Sequence, residues 1–181
     1  MEKAEKTNAM RILEQKGEAY TPFYLSAIPE DGKAAAEMLK KDPSSVFKTL
    51  VTVGSDLAHY VFVIPVKETL DLKKAAKAAG VKNVEMLPQK NLFPLTGYVH
   101  GGCSPIGMKK LFPTFFDETA ILFDEVVTSA GKLGVFLSAA PAAFERAANV
   151  KYADLVCRET SGRRQSRQAC FCRKSCQLFR C

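Results

Sequence analysis

Tryptophan is absent from this chain of 181 residues, histidine occurs twice, and four of the six cysteines crowd into residues 161–181. The two that remain, Cys103 and Cys157, cannot build a disulfide framework. The crowded four have the spacing C-x-C-x3-C-x4-C, without paired C-x2-C knuckles or any histidine, so no metal and no cofactor is expected. Long apolar runs are missing too. The longest uncharged stretch, residues 91–108, is broken by proline and glycine, which excludes a spanning helix there, and no membrane partner is expected. The opening MEKAEKTNAM has charge but no apolar segment behind it, so no targeting signal is predicted and a cytoplasmic location is expected.

Acidic residues are missing from residues 161–181, which hold five arginines and one lysine. The formal net charge of +7 is therefore mostly a tail property, and residues 1–160 keep 20 basic against 19 acidic side chains. We expect one domain over 1–160, long enough to bury a core, followed by a basic, cysteine-containing, disordered tail. With 47% hydrophobic and 25% charged residues, the chain has globular composition.

The element pattern is mixed. TNAMRILEQKG predicts a short helix capped by Thr7 and closed near Gly17. AYTPFYL predicts a strand that Pro22 confines to an edge. GKAAAEMLKK predicts a helix stopped by Asp42-Pro43. SSVFKTLVTV and AHYVFVIPV, separated by Gly54-Ser55-Asp56, predict a hairpin. DLKKAAKAAG predicts a helix between Asp71 and Gly80, and NVEML a strand. TFFDET, AILFDEVVTSAG and GVFLSAA predict three further extended segments, and PAAFERAANV a helix opened by Pro141. No regular βαβ alternation runs through this order. It predicts an α+β fold with a mixed, curled, barrel-like sheet flanked by helices.

Two features could carry chemistry. Lys48 lies in a strand whose faces are both largely apolar, so its ammonium either reaches water at a rim or points at something anionic. The string TGYVHGGCSPIG, residues 96–107, is rich in glycine. It forms either a tight turn or a nest of amide N–H groups suited to an oxyanion or phosphate. It lacks the spacing of nucleotide-binding loops. His100 and Cys103 raise a thiol hydrolase as a rival, although such pairs are normally assembled from distant positions. His59 reads as structural or solvated.

Taken together, VFKTLV, then TGYVHGGCSPIG, PTFFDE and VTSAGKLG resemble the YbaK family over roughly residues 7–156. These are freestanding aminoacyl-tRNA deacylases related to the editing domain of bacterial prolyl-tRNA synthetases. The resemblance implies that fold, and an enzyme acting on the aminoacyl-tRNA 3′ end, most of all Cys-tRNA(Pro), with prolyl-tRNA synthetase as a partner and the protein a monomer or weak dimer. It makes Lys48 the critical residue, with Gly101 and Gly102 supplying the backbone of a G-x-x-x-P motif. It implies a substrate pocket that draws on Tyr24, Phe47, Thr96, Cys103, Ser104, Pro105, Ser129, Ala130 and Gly131. One departure stands out: many relatives have a basic and then an acidic residue where this chain reads Leu133-Gly134-Val135-Phe136. That departure keeps open a non-catalytic module that binds tRNA or a synthetase.

Overall fold

The computed structural model describes residues 5–157, so the expected basic tail at 161–181 lies outside the described residues. The chain opens with α1 (Asn8–Gln15), capped as expected by the Thr7 hydroxyl, which accepts from Met10 N at 3.4 Å. Next come β1 (Thr21–Tyr24) and α2 (Gly32–Met38), the latter capped by Asp31. The hairpin β2 (Phe47–Gly54) and β3 (His59–Pro65) forms as its β-branched sequence predicts, closed by Gly54 N donating to Ala58 O at 2.8 Å. Helix α3 (Leu72–Ala79) runs between the Asp71 cap and a left-handed Gly80, and β4 (Val84–Met86) follows.

The next helix, α4 (Gln89–Thr96), was not expected, because Pro94 sits inside it. The helix is short enough that Pro94 costs it one intrahelical bond near its end, and Gly97 stops it with φ +81°. Strand β5 (Thr114–Asp117) precedes a 3-10 turn, Glu118–Leu122, in part of the segment expected to be extended. The chain then builds β6 (Val126–Lys132), β7 (Val135–Ala139), α5 (Pro141–Ala148) and β8 (Val150–Ala153). The last helix is shorter than expected, because Asn149 turns left-handed at φ +50° and releases the chain into β8.

The expected α+β class forms, but the curled, barrel-like sheet does not. The strands divide into two open sheets, one ordered β1-β7-β6 and the other β4-β2-β3-β5-β8. β1 takes the edge position that Pro22 predicted. The larger sheet is mixed, since β3–β5 and β5–β8 run parallel and the other pairs antiparallel. Among the described residues a single parallel bridge, Val46 to Val127, joins the two sheets, and Val127 N donates to Ser45 O at 2.9 Å beside it.

Alternation along β2 assigns its side chains. Phe47 and Val51 enter the largest core with Met10, Leu13, Phe116 and Phe144, where the Phe47 and Phe116 rings stack at 6.1 Å. Leu50 faces the opposite side, against Phe62 and Ile64 under α3. A third cluster of Ala35, Ala36, Val46, Val66, Val127 and Phe136 fastens α2 over the junction between the sheets.

Candidate active site

Lys48 is half-buried on β2, opposite Ile64, and its ammonium donates to Val66 O at 3.3 Å. It stands two residues beyond the Val46–Val127 bridge, and Ser129 stands two beyond it on β6. Parallel register sets the two level, on the side of their strands that Val46 and Val127 share. Beyond the bridge the strands part: β6 pairs with β7, and β4 joins β2 only from Thr52 onward. The outer edge of β2 from Lys48 to Leu50 therefore faces a gap between strands.

The glycine stretch is tied to itself and to the hairpin β6–β7. Tyr98 donates to Ile106 O at 2.7 Å, Ser104 Oγ accepts from Ile106 N at 3.2 Å, and Thr96 Oγ1 donates to Leu92 O at 2.8 Å. Gly101 adopts φ +80°, which a side chain rarely tolerates, and a Cβ there would also press on Leu133 Cδ2 at 3.2 Å. Gly102 is bare for a different reason: a Cβ would lie 3.2 Å from both Leu133 N and the Lys132 carbonyl carbon. The turn therefore docks three residues above Ser129 on the same strand, a rise of about 10 Å. Lys48, Ser129 and Gly101–Gly102, far apart in sequence, are strung along one end of β6.

Several expected pocket residues do other work. Phe47 is a core ring, and Ala130 and Cys103 are buried in the same core. Thr96 and Ser104 are buried and spend their hydroxyls on the loop's own backbone, and Pro105 is buried with them. Gly102 is buried too, and its N–H donates to Val99 O at 3.0 Å, so it is not one of two amides open to an oxyanion. Gly101 is exposed. Ser129 Oγ accepts from Gly131 N at 3.5 Å, where the register shifts between Ser129 and Lys132. Tyr24 is exposed on the edge strand, with its hydroxyl 3.8 Å from Met10 Sδ.

The thiol rival fails on burial. Cys103 is 7% exposed and its pKa is pushed up to about 12 by desolvation, whereas His100 is exposed on the turn. A thiol held protonated in the core cannot act as a nucleophile at neutral pH.

Sequence reasoning missed two hydroxyls. Thr49 and Thr128, one residue beyond Lys48 and one before Ser129, have buried Oγ1 atoms with no hydrogen-bond partner among the described residues. Threonine in a strand reads as an ordinary β-former, so nothing in the sequence set them apart. Unpaired buried hydroxyls are costly, and by alternation these two lie on the core side of β2 and β6, opposite Lys48 and Ser129.

Residues 30–147 match the model of the aminoacyl-tRNA editing domain. The chain belongs to that family. It is 46% identical over 158 residues to a protein of Enterococcus faecalis named "Putative Cys-tRNA(Pro)/Cys-tRNA(Cys) deacylase EbsC", covering 86% of this chain and 96% of that one. Its fold is similar to the crystal structure of "a putative trans-editing enzyme for prolyl tRNA synthetase", with a TM-score of 0.75, 26% identity, and coverage of 86% and 100%. A hypothetical protein, APE2540, has the same fold at a TM-score of 0.76 and 21% identity, covering 82% of this chain and 99% of its own. The match spans every candidate site residue from Phe47 to Gly131; Tyr24 lies before it.

Proposed function

We infer that this editing domain acts in trans as an aminoacyl-tRNA deacylase, removing a small amino acid, cysteine above all, from the 3′ end of a proline tRNA. The observation that carries the reading is the placement of Lys48 level with Ser129, below the glycine turn, in a chain of the editing family. Small amino acids are the hard case for a synthetase, since one methylene distinguishes them by only about 1–3 kcal/mol and a second, hydrolytic site is the remedy.

The ester of an aminoacyl-tRNA is already activated, so the protein need not supply a nucleophile. Water, a ribose hydroxyl or the substrate's own thiol adds to the carbonyl carbon. With water as the nucleophile the bond to the ribose oxygen then breaks, that oxygen leaves with a proton as the tRNA hydroxyl, and the amino acid is free. The thiol would release it as a thiolactone that water then opens, and a ribose hydroxyl only moves the ester to its neighbour, which water must still cleave. Charge grows on the carbonyl oxygen during the addition. With Gly102 N–H committed to Val99, the reading assigns that oxygen to the Gly101 amide, the remaining donor of the glycine pair. The Lys48 ammonium anchors the terminal phosphate or orients the ester, and Ser129 faces the same space.

The test is a panel of tRNAs mischarged with cysteine, serine, alanine and proline, with release of the amino acid followed over time. Fastest release from Cys-tRNA(Pro) is expected, and no release above the spontaneous rate from any of the four would overturn the reading.

A further inference from the structure

A cleft of about 520 Å³ opens between α2 and the turn after β3, and its walls include Lys33, Glu37, Lys41, Asp42, Ser44 and Lys67. Among the described residues none of the three lysines belongs to an ion pair, and all three are exposed. Lys41 has a positional restraint, with its ammonium 5.6 Å from the centre of the Phe23 ring. Asp42 accepts from Ser44 N at 2.7 Å. That bond comes first, and the nearby Lys67 charge contributes, in holding its carboxyl below the ordinary range. The cleft thus carries three positive and two negative side chains, enough to favour an anion without trapping it.

Its position gives the cleft a role. Val66 N donates to Val46 O at 2.8 Å, and Val66 O accepts from the Lys48 ammonium. Lys67 is the next residue in the chain, and Ser44 lies two before Val46. Helix α2 is seated directly on this point, since a Cβ at Gly32 would lie 2.6 Å from Val66 Cγ1. The lysine cleft and Lys48 therefore adjoin the same piece of backbone at Val66.

We propose that this cleft binds the phosphodiester backbone of the single-stranded 3′ tail of the tRNA, with Lys33, Lys41 and Lys67 as its phosphate contacts. The proposal rests on the deacylase reading. Lysines make point-charge contacts with phosphate and carry no base information, which suits a tail whose sequence is not the basis of selection here. The volume is within the usual range for a small-ligand site, so it accommodates a short part of the tail and not a duplex.

The experiment measures binding of uncharged tRNA by fluorescence anisotropy across a salt titration, for the native protein and for K33Q/K41Q/K67Q. Each lost contact should lower the slope of log affinity against log salt by about 0.7, so the triple variant loses about 2 in slope and roughly tenfold or more in affinity. Glu37→Gln should shift affinity the other way, which a misfolded protein would not do. Alongside it, hydrolysis of Cys-tRNA(Pro) is compared with hydrolysis of cysteine esterified to adenosine alone, which has no phosphate. The triple variant should lose more on the first substrate than on the second. Equal slopes and affinities for variant and native protein would overturn the cleft while leaving the deacylase reading intact. If the native protein hydrolyses neither ester but the slope still falls, the cleft stands as an RNA site and the deacylase reading falls.

Discussion

Tyr98 donates its phenolic hydrogen to the carbonyl oxygen of Ile106 at 2.7 Å, and that bond closes the loop bearing the glycine turn. Burial pushes the Tyr98 pKa up to about 12, so the phenol stays a donor at any working pH. The same ring lies beneath Gly131, where a Cβ would come within 2.6 Å of Tyr98 Cε1. One side chain thus sets the distance between the turn and β6.

Tyr98→Phe removes that donor and leaves the Ile106 carbonyl buried without its partner. The cost should be about 1–3 kcal/mol, or a fall in melting temperature of roughly 2–12 °C. Scanning calorimetry reads the stability. Deacylation by the folded variant should also drop, because the turn loses its tie.

Lys48→Ala should lose deacylation by more than tenfold while keeping its circular dichroism and melting temperature near those of the native protein. The native bond to Val66 O is a part-buried contact at 3.3 Å, so little of the fold depends on it. A variant that cleared Cys-tRNA at the native rate would remove Lys48 from the site.

Cys103 should resist alkylation. With a pKa of about 12, its thiolate fraction at pH 8 is about one in ten thousand. Peptide mapping after brief iodoacetamide treatment should find exposed Cys157 modified and Cys103 untouched, with deacylation retained. Loss of activity that tracks modification of Cys103 would restore the thiol mechanism.

Acid should loosen the contact between the ends of α1 and α5. Arg146 bonds Glu18 through both Nε and Nη2, the latter at 2.7 Å, and holds its carboxyl below the usual 4.5. A carboxylate depressed on folding stabilises above its unfolded value, and that contribution is lost as pH falls through the folded value. Urea midpoints should therefore fall below pH 4.5, and Glu18→Gln should show a shallower decline. The Arg146 side of the pair is exposed to solvent although Glu18 is largely covered, so the difference will be small and will shrink with salt.

Local chemistry was legible wherever a residue acts within a few positions of itself. Thr7 and Asp71 cap their helices, Gly80 ends one, Pro22 marks an edge, and the β-branched runs at 47–65 pair as a hairpin. Helix α4 and strand β8 were not, because Pro94 read as an interruption and Asn149 as the continuation of a helix, and only packing against the rest of the chain decides what lies around them. The division into two open sheets was hidden for the same reason, since strand order is a matter of partners and not of propensity.

By itself the sequence determined most of the helices and strands, the neutral body with its basic end, and the blocks that mark the editing family. Tertiary structure alone decided which expected residues remain accessible. It sends Phe47, Cys103 and Ala130 into the core and closes Gly102 on Val99. It also levels Lys48 with Ser129 through one bridge at Val46. The reason is geometric: which way a side chain or amide points depends on which strand lies beside it, and that neighbour comes from some eighty residues away in the chain.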